Sequence, residues 1–261
     1  EGLVVMTDPV FNRASPLPSF SSKSKSSFFN GKPFVFENPI LIEDLPKVDI
    51  VIISHDHYDH LDSKAIKDLS NLVDHFIVPL GVGAHLERWG VDKNKITELD
   101  WYESKSYKDI EFIFAPSLHF SGRGITNGNS TLWGSWIVKS KSLSAYFSGD
   151  GGYSETFKKL GNEYGPFDIA FIENGAYNID WSNVHMFPDE SVQASIDLKA
   201  KVLLPIHWSK FDLSIHPWDE PIIRVTQEAK KKNVKIATPM IGEVFDLNNL
   251  PRNPWWEKLR N

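Results

Sequence analysis

The stretch VDIVIISHDHYDHLD, residues 48–62, restricts the fold more than any other part of the chain. A run of β-branched, apolar residues of this kind is a strand buried in a sheet. It is followed at once by three histidines within six residues, from a chain that has only nine, and by three aspartates. A buried strand cannot carry these groups, so the backbone must leave the sheet after Ile53. At such a carboxyl end successive side chains can converge on one point instead of alternating across the sheet. His55, His57, Asp59 and His60 then offer four nitrogen and oxygen donors, a set that suits a pair of borderline metal ions.

Further apolar runs of strand length recur along the chain: LVVMTD, HFIVP, IEFIFAPS, WGSWIVKS, LSAYFSGD, FDIAFIE, AKVLLPIH and VKIATP. Most end at Gly, Pro, Asp or Ser. Helical stretches lie between them: DSKAIKDLSNL with Asp62 as N-cap, SETFKKLGNEY with Ser154 as cap, PDESVQASIDLKA and PIIRVTQEAKKKN. Few helices among many strands predict an α/β, α+β layered fold of sheets covered by helices, not a strictly alternating parallel one. The 261 residues suffice for one full core, and the expectation is a single domain over 1–261.

Three more candidate donors also stand just beyond apolar strands: His119 after IEFIFAPSL, Asp150 after LSAYFSG and His207 after AKVLLPI. Active sites of layered sheets lie at such ends. A carboxylate such as Asp150 can serve two cations, one oxygen for each. Two metals ~3.5–4 Å apart make a water between them acidic enough to be hydroxide near neutral pH. With no cysteine in the chain, thiolate ligands, disulfides and cysteine nucleophiles are excluded. The net charge of −6 argues against nucleic acid as a partner. No G-x-S-x-G elbow or G-x-G-x-x-G fingerprint is present. The glycines of GDGGY are read instead as the turn that swings Asp150 over the metals.

On these residues the chain resembles the metallo-β-lactamase-fold hydrolases, whose H-x-H-x-D-H signature is followed in order by His, Asp and His at strand ends. TDPVFNRASP, HDHYDHLD, LWGSW, FSGDGGY, GPFDIAFIENGAY and IHWSKFDL make it most similar to the N-acylphosphatidylethanolamine-hydrolysing phospholipase D branch and its bacterial relatives. The resemblance implies an αββα sandwich with two metals at one edge, zinc foremost, with manganese or iron also compatible. His55, His57 and His119 would hold one metal, Asp59, His60 and His207 the other, and Asp150 both. It implies a hydrolase using a metal-bridging hydroxide, with Asp59 and Asp150 as catalytic residues. The expected substrate is an N-acylphosphatidylethanolamine-like phosphodiester. Lactone or other ester and amide hydrolysis on the same metals is the first alternative, and a non-enzymatic metal-binding scaffold the second.

Three residues are candidates for substrate binding. His185, just before a helix in NVHMFPDES, is weighed as substrate-facing or as an outer partner of the metals, against a cap or core role. His216, in SIHPWDEP, is weighed against an ordinary turn. Trp133 and Trp136, in TLWGSW, read as core packing, with an apolar wall beside the metals as the functional reading of Trp133. His75 and His85 read as packing residues. Asp56 is read as solvent-exposed or as partner of a ligand histidine. The Ser-, Lys- and Pro-rich segment 11–33, with Phe20, Phe28 and Phe29, reads as a surface loop or a lipid-facing lip. The tail NPWWEKLRN reads as a strap held by Trp255 and Trp256. No apolar run is long enough to span a membrane, so the expected location is cytoplasmic or membrane-peripheral, with a homodimer also compatible. The chain opens inside a strand-like run, and the natural protein is expected to begin earlier.

Overall fold

The structure, a computed structural model, describes residues 2–12, 14, 33–37 and 39–259. Two sheets form its centre. The first is parallel throughout, in the order β1 (Val5–Thr7), β2 (Val48–Ile52), β3 (Val73–Pro79) and β4 (Ile96–Leu99). The second contains β5 (Ser104–Tyr107), β6 (Ile110–Ala115), β7 (Ser135–Lys139), β8 (Ser144–Phe147), β9 (Ile169–Glu173) and β10 (Leu203–Ile206), in the order β10-β9-β8-β7-β6-β5. There β8, β9 and β10 are parallel, whereas β7 runs antiparallel to both β6 and β8. Hence β6, β8, β9 and β10 all point the same way.

Alternation along the strands builds three apolar layers. Ile50, Ile52 and Ile77 of the first sheet meet Phe112, Phe114 and Trp136 of the second. On the outer face of the first sheet, Val51, Ile53 and Phe76 pack against Leu61, Ile66 and Leu86. These come from or border α1 (Ser63–Leu69) and α2 (Gly83–Arg88). Beyond the second sheet, Ile113, Ile137 and Ile172 meet Leu160, Val192 and Val225 of α3 (Thr156–Glu163), α4 (Pro188–Asp197) and α5 (Glu220–Lys231). The result is helix, sheet, sheet, helix, the expected αββα sandwich.

Asp62 is the N-cap of α1, its side chain accepting from the N–H groups of Lys64 and Ala65. Ser154 stands one place before the N-cap of α3, which is Glu155. VKIATP forms no strand; Ile236 makes one isolated bridge to Leu203. Three short elements lack an apolar run and were not foreseen: β4, the exposed edge strand β5, and α2. At the tail, Trp256 is buried and Trp255 stacks on Trp208, 5.3 Å between ring centres, as the strap requires. Phe20, Phe28 and Phe29 of segment 11–33 lie outside the described residues.

Candidate metal centre

The carboxyl ends of β1, β2, β6, β8, β9 and β10 converge at one edge of the sandwich, and each presents a candidate donor. His55 follows β2 within three residues. Its Nε2 lies 2.8 Å from His57 Nδ1, which in turn lies 3.2 Å from His119 Nε2 on the segment after β6. A second cluster adjoins this one. His207 Nε2 is 3.2 Å from Asp59 Oδ2 and 3.4 Å from Asp150 Oδ1. His60 Nε2 is 3.1 Å from Asp150 Oδ2. Asp150 stands between the two clusters, with Oδ2 also 3.9 Å from His119 Nε2.

Two backbone features bring these groups together. Gly149, with φ of +56°, makes the turn that presents Asp150; a Cβ there would come within 2.5 Å of Ser54 Cβ. His207 itself takes a left-handed conformation, φ +63°. For a non-glycine residue that conformation costs about 1–2 kcal/mol, a strain typical of functional positions.

The rings are oriented from behind. Asp8, at the end of β1, accepts the Nδ1–H of His60 at 2.6 Å, leaving Nε2 facing the cluster. Ser54 Oγ donates to Asp8 at 2.6 Å and is therefore the acceptor for His55 Nδ1–H at 2.9 Å. His119 Nδ1–H donates to the Val184 carbonyl at 3.0 Å. Each outer partner fixes the tautomer whose other nitrogen is bare and directed inward, the arrangement that metal-binding histidines share. Among the described residues His60 Nε2 and Asp150 Oδ1 are buried without a hydrogen-bond partner. The donor set therefore fits divalent cations: three histidines in one group, two histidines and two carboxylates in the other.

Electrostatics separate the groups. Burial holds His55 and His57 below the usual imidazole range and brings His119 down to about 3, so this trio is neutral as a ligand set must be. Burial opposes the charging of His60 and His207 too, but the carboxylates of Asp150 and Asp59 outweigh it and raise both. Conversely, Asp59 and Asp150 are ionised against burial, held low chiefly by His60 and by His207 respectively. Without a metal, this second group balances two carboxylates with two imidazoles whose protonation is favoured, positive charge that a bound cation would supply in their place.

Two carboxylates at this edge escaped the sequence reading, Asp8 and Glu173. Glu173 ends β9 fully buried, accepts the Met186 N–H at 2.6 Å, and stands 3.5 Å from His185 Nδ1 and 4.0 Å from His207 Nδ1. With Asp150 and His207, Glu173 and His185 form a third group of closely spaced donors. Burial lowers the His185 pKa, but Glu173 and Asp150 outweigh it and raise it to about 9. His185 thus lies beside the candidate ligands, 4.0 Å from Asp150 Oδ2. The signal for Asp8 and Glu173 was present: each is a carboxylate ending an apolar strand.

His216 stacks on Tyr177, 4.2 Å between ring centres, and lines a cavity that opens over the site. Trp133 does not line that cavity; its indole N–H donates to the Ser117 carbonyl and its ring meets Trp101 edge-on. Trp136 is buried between the sheets. Asp56 requires correction. It is neither exposed nor hydrogen-bonded to a ligand histidine, but fully buried, accepting the Gly122 N–H at 2.6 Å, with His85 Nε2 3.5 Å away. His75 packs as expected and bonds Thr97. The cavity measures about 1200 Å³, reaches Asp59, His60 and His207, and is walled by apolar residues including Val10, Phe11, Phe36, Ile42 and Leu213.

A family described as beta-lactamase superfamily domain matches residues 4–208. The uncharacterized protein Rv0906 of Mycobacterium tuberculosis is 40% identical over 98% of this chain and 68% of its own length. The N-acyl-phosphatidylethanolamine-hydrolyzing phospholipase D 1 of Caenorhabditis elegans is 32% identical over 95% of this chain and 72% of its own. Among solved structures, CmlA, a diiron beta-hydroxylase from Streptomyces venezuelae, shares the fold with a TM-score of 0.62 at 19% identity. That match covers 90% of this chain, which spans about half, 49%, of CmlA. No described helix is long and apolar enough to cross a membrane. With its layers, its strand-end donors and this match, the chain belongs to the beta-lactamase superfamily, among the metal-dependent hydrolases of the metallo-β-lactamase fold.

Proposed function

We propose that residues 1–261 form one dinuclear zinc hydrolase domain that cleaves a phosphodiester of an N-acylphosphatidylethanolamine-like lipid. His55, His57 and His119 would hold one zinc, Asp59, His60 and His207 the second, and Asp150 both. The observation that carries this reading is the position of Asp150, whose carboxylate reaches His60, His207 and His119 at 3.1, 3.4 and 3.9 Å. When bound, the metals supply Lewis acidity and a water that is nucleophilic near neutral pH. Asp59 would belong to the ligand set through Oδ2, which faces His207 and His60, and, since it also lines the cavity, its carboxylate would take a proton from water and return it to the leaving oxygen. His216, on the cavity wall, would meet substrate; His185, beside Asp150 and Glu173 and outside the cavity lining, would act on it through the ligand group, and Trp133 through Ser117.

The lipid substrate is supported by the phospholipase D relative in Caenorhabditis elegans and by the cavity. At about 1200 Å³ with apolar walls, it exceeds the roughly 300–1,000 Å³ typical of small-molecule sites and can take an acyl chain. The test is to load the protein with zinc, count metals by elemental analysis, and supply the lipid. Two zinc ions per chain and release of phosphatidic acid are expected. Fully loaded protein that leaves the lipid intact but opens lactones would replace this reaction with ester hydrolysis. Loaded protein inert toward both would leave only a metal-binding scaffold.

A further inference from the structure

Among the described residues, the cavity over His60 and His207 is lined by one cation that no ion pair engages. Its described lining includes two lysines, Lys64 and Lys210. Lys64 is paired with Asp68 one helical turn away. Lys210 makes no ion pair among the described residues. Its Nζ lies over two phenyl rings instead, 5.2 Å from the centre of Phe36 and 5.9 Å from that of Phe211. Asp62 is the carboxylate whose field reaches it. Both Asp62 oxygens are already engaged: Oδ1 accepts from Lys64 and Ala65, and Oδ2 from the backbone of Phe11 and from both nitrogens of Asn12. Between Asn12 and Pro33 the sequence adds Arg13, Lys23, Lys25 and Lys32 but no Asp or Glu, so it supplies no counter-ion.

The lysine is also held in place. It follows His207 by three residues on the same segment, its carbonyl accepts the Phe34 N–H at 2.9 Å, and the next residue, Phe211, bridges to Pro33. Partial burial lowers its pKa from the usual lysine value, opposed only by the more distant field of Asp62. An anion that reached it would gain a charge-assisted hydrogen bond beside two phenyl rings.

We propose that Lys210 Nζ binds the phosphate headgroup of an amphiphile whose alkyl part lies along the apolar wall of the cavity. This rests on the reading above in taking that cavity as the substrate site, and adds the group that selects an anionic head. The chemistry is a phosphate oxygen accepting from a lysine ammonium; a lipid headgroup is its source rather than free phosphate, because Phe36 and Phe211 flank the lysine and Val10, Phe11, Ile42 and Leu213 line the same cavity among its polar residues.

Calorimetric titrations of dodecyl phosphate, dodecyl glucoside and inorganic phosphate, the amphiphiles below micelle-forming concentration, test this on metal-loaded wild type, Lys210→Met and Lys210→Arg. Lys210→Met keeps the apolar stem and removes the charge. Its affinity for dodecyl phosphate is expected to fall about tenfold, the scale of a hydrogen bond to a charged group, while dodecyl glucoside binds all three proteins alike. Lys210→Arg is expected to stay within about threefold of wild type, since it keeps the cation. Equal affinity of wild type and Lys210→Met for dodecyl phosphate overturns the proposal, and so does a parallel loss of dodecyl glucoside. Inorganic phosphate binding as tightly as dodecyl phosphate overturns the lipid source. The proposed reaction fails separately: wild type that leaves phospholipid uncleaved but binds dodecyl phosphate through Lys210 loses the reaction and keeps this site. Cleavage with an unchanged KM in Lys210→Met keeps the reaction and removes the site.

Discussion

Asp8 Oδ2 accepts the Nδ1–H of His60 at 2.6 Å, and this one bond ties the end of β1 to the candidate ligand loop after β2. Asp8 is itself held by the Ser54 N–H at 2.7 Å and the Ser54 hydroxyl at 2.6 Å. Removing such an outer carboxylate typically costs 10–100-fold in metal affinity, because the imidazole loses both its orientation and part of its basicity. Asp8→Asn is therefore expected to lower affinity at the site containing His60 by about 10–100-fold. The site of His55, His57 and His119 should lose less, since Asp8 reaches it only through the Ser54 hydroxyl that accepts from His55. Dialysis against graded chelator, with metal content read at each step, checks this; loss of both ions at wild-type chelator concentrations would remove the role.

Arg123 clamps the same loop from the other side. Its Nη1 donates to the carbonyls of Asp56 at 2.7 Å and Leu61 at 2.6 Å, and its guanidinium lies over the Tyr58 ring, 4.0 Å from the centre. The Tyr58 hydroxyl donates back to the Arg123 carbonyl at 2.5 Å. Arg123→Ala leaves two carbonyls without their donor and is expected to cost about 2–3 kcal/mol in urea unfolding, the range for hydrogen bonds to a charged group. Arg123→Lys should recover only part of this, since an ammonium lacks the planar fork and the stacking face. Wild-type stability in Arg123→Ala would show that the loop holds its own shape.

The sequence revealed the site to the extent that its chemistry was local. His55, His57, Asp59 and His60 fall within one turn of chain after an unmistakable buried strand, and Asp62 caps the helix that follows. Asp8 and Glu173 were passed over because each is a lone carboxylate whose partner arrives by strand pairing, β1 beside β2 and β9 beside β10. Asp56 was misplaced for a related reason: its neighbour His85 comes from α2, a short helix with no periodic apolar signal. β5, SKSY, is three-quarters exposed and polar on an edge, so alternation could not mark it. The layered fold, by contrast, follows from strands apolar on both faces, which need cover on each side.

Acid stability depends in part on a group far from the metals. Asp49 accepts the Val4 N–H at 2.9 Å and pairs with Lys108 Nζ at 2.9 Å. These two, the backbone donor first, hold its pKa below the ordinary 3.8 against burial. A carboxylate whose folded pKa is depressed stabilises the fold fully above its unfolded pKa, and that stabilisation is lost as pH falls through the folded value. Asp49→Asn should therefore unfold more readily than wild type at pH 7 and show a shallower loss of stability below about pH 4. Parallel unfolding curves for the two proteins across that acid range would contradict the assignment.

Gly175 offers the sharpest separation between the two donor groups. It follows β9 by two residues, and a Cβ built on it would fall 1.4 Å from the His207 carbonyl oxygen and 2.4 Å from its carbon. The clash is with backbone, so no rotamer relieves it, and the segment bearing His207 must move. Gly175→Ala is expected to destabilise the protein by about 1–3 kcal/mol, as overpacking does, and to displace His207 from Asp59 and Asp150. Affinity for one metal should fall sharply while the three-histidine group, built on β2 and β6, keeps its ion. Elemental analysis of zinc-loaded Gly175→Ala near one ion per chain, with cobalt substitution showing a histidine-ligated spectrum, is the expected result. Two tightly held ions in a stable Gly175→Ala protein would mean that His207 is not a ligand.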